Sequence, residues 1–212
     1  MAARLALVGS FLSIGTVLCL GTVGCSGKVP VDPAIVRPVV EPAKIAVDIH
    51  YADDLRDHEC MGDGGYIAFS WTFALGPPSI EMFNVIFTTL FTDVEFQDTY
   101  PDFASPGDQR DVIELHLSEF TGCQASWPIL GTTVIDIGYE AIVWSAEGEE
   151  LARWNGRGRA GPGDDLQGYS GPVSEPELTH LNALTSVAMR KAAADFVVNY
   201  ESDPAARAWV DE

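Results

Sequence analysis

The sequence predicts an α+β domain, a mainly antiparallel or mixed sheet with two helices packed on one face. Three observations carry this expectation. Several separate segments alternate apolar and polar residues at strand period. Two others repeat their apolar residues at helical spacing. The order along the chain is strand, strand, helix, short strand, strand, strand hairpin, helix.

Ahead of the domain lies a leader. Arg4 is its single charge, an apolar run follows from Leu5 to Leu20, and the next charge is Lys28. A basic start, an apolar middle and small residues before a cut site describe a secretory signal peptide over residues 1–24. A spanning helix needs about 20 apolar residues, and Gly9, Gly15 and Gly21 weaken this shorter run further. Residues 25–43 hold Pro30, Pro33, Pro38 and Pro42. Each Pro fixes its own φ and pushes its predecessor away from helix, so this stretch reads as an extended tether.

The domain proper is expected over residues 44–200. In the first strand, Lys44 to Tyr51, Ile45, Val47, Ile49 and Tyr51 alternate with Ala46, Asp48 and His50. A polar loop follows to Gly65. Ile67, Phe69, Trp71, Phe73 and Leu75 then mark a second strand with a very apolar face, closed by Gly76-Pro77-Pro78. Ser79 reads as the N-cap of a helix whose stripe is Ile80, Phe83, Phe87, Leu90, Phe91 and Val94. That helix is expected to end near Asp93, with a short strand around Val94-Glu95-Phe96. Tyr100 to Arg110 reads as loop.

Asp111 to Phe120 alternates again, with Ile113, Leu115 and Leu117 against Glu114, His116 and Ser118. Thr132 to Ser145 is a long strand with Ile135, Ile137, Tyr139, Ala141 and Val143 on one face. Ala146-Glu147-Gly148-Glu149 reads as a hairpin turn in which Gly supplies the positive φ, and Glu150 to Arg159 returns. After a Gly-rich loop, Ser174-Glu175-Pro176-Glu177 forms a capping box for the last helix. Its slim stripe, Leu181, Leu184, Ala188 and Ala192, suits close packing on a sheet. Residues 201–212 read as an acidic, frayed tail.

Charge excludes some functions. The net charge is −19, and loss of Arg4 with the leader makes the mature chain more negative still. Nucleic acid and anionic head groups repel such a chain, so no nucleic-acid partner is expected. Cys60 and Cys123 are the only cysteines after Cys25, which leaves a single possible disulfide. There is no C-x-x-C or paired-His ligand spacing, so no metal site or cofactor is predicted.

The chemical candidates each meet a plainer reading. Asp53, Asp54, Asp57, His58 and Glu59 are the densest ligand cluster, but they lack the EF-hand pattern and read as a solvated acidic loop. His50, His58, His116 and His180 are scattered; His50 and His116 share the polar side of their strands, where they could meet across a sheet and coordinate a metal, but they read as separate solvated or rim positions. No H-E-x-x-H or G-x-S-x-G occurs, so no catalytic residue is assigned. Gly156-Arg157-Gly158-Arg159 lacks the ending of a phosphate loop and opens no helix. Arg153, Arg157 and Arg159 share parity on one strand and form a basic stripe, read as a possible partner-binding edge or as a charged edge against aggregation. Phe69, Trp71 and Phe73 could form an exposed ridge that touches a membrane or a partner, but such a row reads more readily as core.

Gly24-Cys25, after small and apolar residues, resembles the lipobox of bacterial lipoproteins, although Thr22 stands where that family prefers Leu. The resemblance implies lipidation of Cys25 as the first mature residue. With Ser26 following it, the resemblance also implies outer-membrane sorting in a two-membrane bacterium. Across Lys44 to Tyr200, the early strand, the helix after Pro78, the strand Thr132–Ser145 with its Glu147-Gly148 turn and the capped last helix resemble YajG-type envelope lipoproteins. The likeness to the amino-terminal domain of TolB and to secretion-linked lipoproteins such as CsgG is more distant. These resemblances imply a setting: membrane attachment through lipid, a periplasm-facing domain and an envelope protein partner. The expected function is a non-enzymatic accessory or assembly subunit. The alternatives are a binding module for a glycan or small ligand, or a hydrolase.

Overall fold

The computed structural model describes residues 25–29, 31–33, 37–63, 69–101, 103, 110–124, 133–164 and 176–211. Among them are eight strands: β1 Cys25–Val29, β2 Ala43–Tyr51, β3 Glu59–Asp63, β4 Phe69–Ala74, β5 Phe91–Gln97, β6 Asp111–Phe120, β7 Ile135–Trp144 and β8 Glu150–Ala160. The helices are α1 Asp53–Arg56, α2 Gly76–Leu90, α3 Pro176–Ser202 and α4 Pro204–Asp211, with a 3₁₀ turn at Gly122–Gln124. The fold is α+β, with two mixed sheets. The larger runs β5-β2-β6-β7-β8 and the smaller β1-β4-β3.

In the main sheet β2 lies parallel to both β5 and β6, whereas β6, β7 and β8 are antiparallel neighbours. The β7–β8 turn is built as its residues demand. Gly148 takes φ +82°, and the Ser145 hydroxyl accepts from the backbone N–H groups of Glu147 and Glu149.

The core fills the space between the main sheet and α2 and α3. Val47, Ile49, Ile113, Leu115, Tyr139, Ala141 and Val143 are fully buried on the sheet side. Phe83 of α2 meets Tyr139 at 4.7 Å and Phe196 of α3 at 5.0 Å, so both helices cover the same face. Ser79 and Tyr139 share a buried hydrogen bond of 2.9 Å, and burial raises the Tyr139 pKa. Small residues set the height of α3. A Cβ on Gly156 or Gly158 of β8 would collide with the backbone of Ala192 or Ala188, so glycine lets the helix lie directly on the strand. Residues 181–189 of α3 are all buried, which requires cover on more than the sheet side. β1 of the small sheet also contacts this helix.

Several elements differ from expectation, for physical reasons. The tether of residues 25–43 is partly built into the fold. β1 pairs parallel with β4 from Cys25↔Phe69 to Val29↔Phe73, and Val29 is buried. The loop before Gly65 contains α1 and β3. Ser79 is not an N-cap: α2 starts at Gly76 with Pro in its first turn, and the Ser79 hydroxyl is committed to Tyr139. The helix ends at Leu90, where β5 begins. The tail is not frayed, since α4 buries Ala206 and Trp209. Trp71 and Phe73 are core, as expected. The leader, the Ser174 capping residue and the Phe69 side chain lie outside the described residues.

Candidate functional site

The face of the main sheet turned away from α2 and α3 is polar. On it, at the carboxyl end of β2, is a crevice of about 570 Å³ lined by residues that include His50, Asp54, Tyr100, Glu114 and His116. The parallel pairing of β2 with β6 sets His50 beside Glu114, and strand period places His116 on the same face. β5, parallel on the other side of β2, leads into Asp98, Thr99 and Tyr100 at the crevice wall. α1 presents Asp54. A crevice beyond the carboxyl ends of parallel strands is a common place for a ligand in open sheets.

The polar groups hold one another. His116 Nδ1 lies 3.0 Å from Asp54 Oδ2, and its Nε2 lies 3.5 Å from Glu114 Oε1. Trp144 Nε1 donates to Glu114 Oε2 at 2.9 Å, so the buried carboxylate keeps a partner on each oxygen. His50 is buried, not a rim residue as its polar-side position implied. The Tyr100 ring packs edge-on against it at 5.3 Å. Burial lowers the His50 pKa, while a backbone hydrogen bond with Gln97 acts the other way. His50 Nδ1 is buried without a hydrogen-bond partner.

Of the acidic cluster, only Asp53 and Asp54 reach this crevice. Asp57 and Glu59 are exposed, and His58 turns toward Cys60 and Cys123. Those two cysteines form the expected disulfide, with Cα atoms 6.0 Å apart. It joins β3 of the small sheet to the 3₁₀ turn after β6 of the main sheet.

Arg153, Arg157 and Arg159 do line one exposed face of edge strand β8. Neighbouring acids offset much of the stripe. Arg153 bonds Glu150 and also pairs with Glu140 at 3.0 Å, and Arg159 pairs with Asp136 at 3.4 Å. The Glu150 carboxylate raises the Arg153 pKa. Cys25 begins β1. Among the described residues no helix is long and apolar enough to cross a membrane.

A second cavity, of about 460 Å³, is apolar and lies between α2 and α3. Met82, Ile86, Ala193 and Val197 form much of it, and residues 37–40 cross it with Val39 fully exposed. The sequence does not mark this groove, because Met82, Ile86, Ala193 and Val197 fall outside the apolar stripes that helical spacing picks out. It also leaves the crevice unassembled, because the parallel β2–β6 register has no local signature.

No family model matches the chain, and no curated protein matches it. Among solved structures, the chain is similar to an uncharacterized protein at 12% identity and TM-score 0.36, over 84% of this chain and 97% of that one. It is likewise similar to a hypothetical protein of Chlamydia trachomatis at 10% identity and TM-score 0.36, over 74% of this chain and 97% of that one.

Proposed function

We propose that this protein is exported, anchored by lipid at Cys25, and works at the outer membrane as a non-enzymatic accessory or assembly subunit of the cell envelope. The observation that carries the reading is the Cys60–Cys123 disulfide in a chain that opens with an export-type leader. Disulfides persist in oxidising, exported compartments and are rare in reducing ones. Two or more acyl chains at Cys25 hold such a domain firmly on a bilayer. An accessory role is favoured over hydrolysis by the state of His116, whose two ring nitrogens are held by the Asp54 and Glu114 carboxylates. The apolar groove between α2 and α3, with exposed Val39 at its edge, is the surface to test for an envelope partner.

A second reading has its own support. The polar crevice at the end of β2 suits a small polar ligand or a glycan, held by His50, Asp54, Glu114 and Tyr100.

The test is to compare the wild type with Cys25→Ala after membrane fractionation and a high-salt wash. The wild type should stay in the pellet and the variant should leave it; a variant that stays refutes the anchor. Gentle solubilisation of the wild type should bring down a stoichiometric envelope protein, and Val39→Glu should lose it. A protein that comes down alone, and whose melting shifts with a glycan, favours the crevice reading.

A further inference from the structure

We propose that the Cys60–Cys123 corner, once its disulfide is opened, is a binding site for a borderline-soft d¹⁰ cation of the Zn²⁺ type, with His58 as third ligand. This goes beyond the anchoring proposal and does not depend on it. His58, Cys60 and Cys123 each offer a ligand atom, and all of these atoms lie within 4.8 Å of one another. Tetrahedral zinc bonds of about 2.0 Å to nitrogen and 2.3 Å to sulfur hold ligand atoms somewhat closer than that limit. Once the S–S bond is cut, both sulfurs are free to separate to that spacing.

The state of the His58 ring argues for a ligand. Its Nε2 is buried and has no hydrogen-bond partner. A buried ring nitrogen without a partner, on a residue whose ligand atom lies within 4.8 Å of both sulfurs, is open to a metal, because a neutral imidazole coordinates through its unprotonated nitrogen. The residue is also held in place. His58 N–H donates to Leu55, its carbonyl accepts from Leu75, and the Phe120 ring packs edge-on at 5.6 Å. Among the described residues no other group uses that nitrogen. Two thiolates and an imidazole form a Cys₂His set, which leaves the fourth position of a tetrahedral ion to water.

The chemistry balances. A dithiol reductant passes two electrons and two protons to the S–S bond, giving two cysteine thiols and its own cyclic disulfide. Zn²⁺ then displaces both thiol protons to solvent as two Zn–S bonds form, and neutral His58 completes the set without losing a proton. Oxidised, the corner is a structural staple; reduced, it is a metal site.

The experiment uses the full chain purified in detergent, reduced with a dithiol that is then removed without air. Zn²⁺ alone is the probe, read by calorimetry and by alkylation of Cys60 and Cys123. The reduced chain should take up about one Zn²⁺, with both thiols protected, and the oxidised chain none. His58→Ala should weaken binding at least about tenfold, and His58→Cys, which supplies a third thiolate, should restore it. The proposal is overturned if the reduced chain takes no zinc, if His58→Ala binds as tightly as wild type, if His58→Cys fails to rescue, or if the oxidised chain binds equally well.

Discussion

The Trp209 indole N–H donates to the Asp111 carboxylate at 2.7 Å, across 98 residues of sequence. The bond fastens α4 to the first residue of β6. The same ring meets Phe91 at 5.8 Å, where α2 gives way to β5. A single side chain therefore ties the carboxyl terminus to two strands of the main sheet. Trp209→Ala removes a buried aromatic and leaves Asp111 unpaired. The expected loss is about 3 kcal/mol of unfolding free energy by urea titration. A change below about 0.5 kcal/mol, the ordinary range for surface substitutions, would mean that α4 is only loosely docked.

Gly158 fixes how closely α3 approaches β8. A methyl group there would meet the Ala188 carbonyl and the Ala192 N–H, both backbone atoms that cannot swing aside. Gly158→Ala should therefore cost roughly 1–3 kcal/mol, the usual range for overpacking, despite the better intrinsic fit of alanine to a strand. Thermal melting of the variant gives the answer; an unchanged midpoint would show that the helix can lift without loss.

Ser79 and Tyr139 illustrate the asymmetry of buried hydrogen bonds. Ser79→Ala leaves the Tyr139 hydroxyl buried and unpaired, at an expected cost of about 1–3 kcal/mol. The double variant Ser79→Ala, Tyr139→Phe removes both polar groups and should recover part of that loss. If the double variant is less stable than both single ones, the pair is not the controlling interaction.

His50 makes stability depend on pH. Burial keeps its folded pKa below the ordinary value of 6.5. Just below pH 6.5 the unfolded chain takes up the proton first. The contribution of this group is therefore complete above 6.5 and is lost as pH falls through the window beneath it. Asp48 works in the opposite sense and lower down. Its pKa is raised above 3.8, chiefly by burial, so its contribution is present in acid and lost as pH rises through that window. Melting temperature should drop between pH 7 and pH 5, and His50→Gln should flatten that slope. An identical slope in the variant would assign the effect elsewhere.

What could be read from the sequence follows from what local period can carry. β2, β6, β7 and β8 alternate cleanly because each has one face on the core, and Leu181, Leu184, Ala188 and Ala192 are buried as their spacing predicts. β1 was hidden because Cys-Ser-Gly-Lys-Val has no alternation and owes its strand form to pairing with β4, far along the chain. In α4 the buried Ala206 and Trp209 are three residues apart, a genuine helical pair lost among charged neighbours. Ser79 misled because a hydroxyl after two prolines looks like a cap, whereas its partner is 60 residues away. The crevice was half visible. Parity put His50 and His116 on the polar side of their strands, but only the β2–β6 register brings them to one opening, and only the residues after β5 bury His50 beneath Tyr100.

The position of β1 has a mechanical consequence. If Cys25 carries acyl chains, the bilayer grips a strand that is already paired with β4 and not a slack cord. The domain then rides close to the head groups with a set heading and little freedom to swivel or reach. A tug along the strand axis spreads its load over the whole row of β1–β4 hydrogen bonds in shear, and does not peel them one at a time.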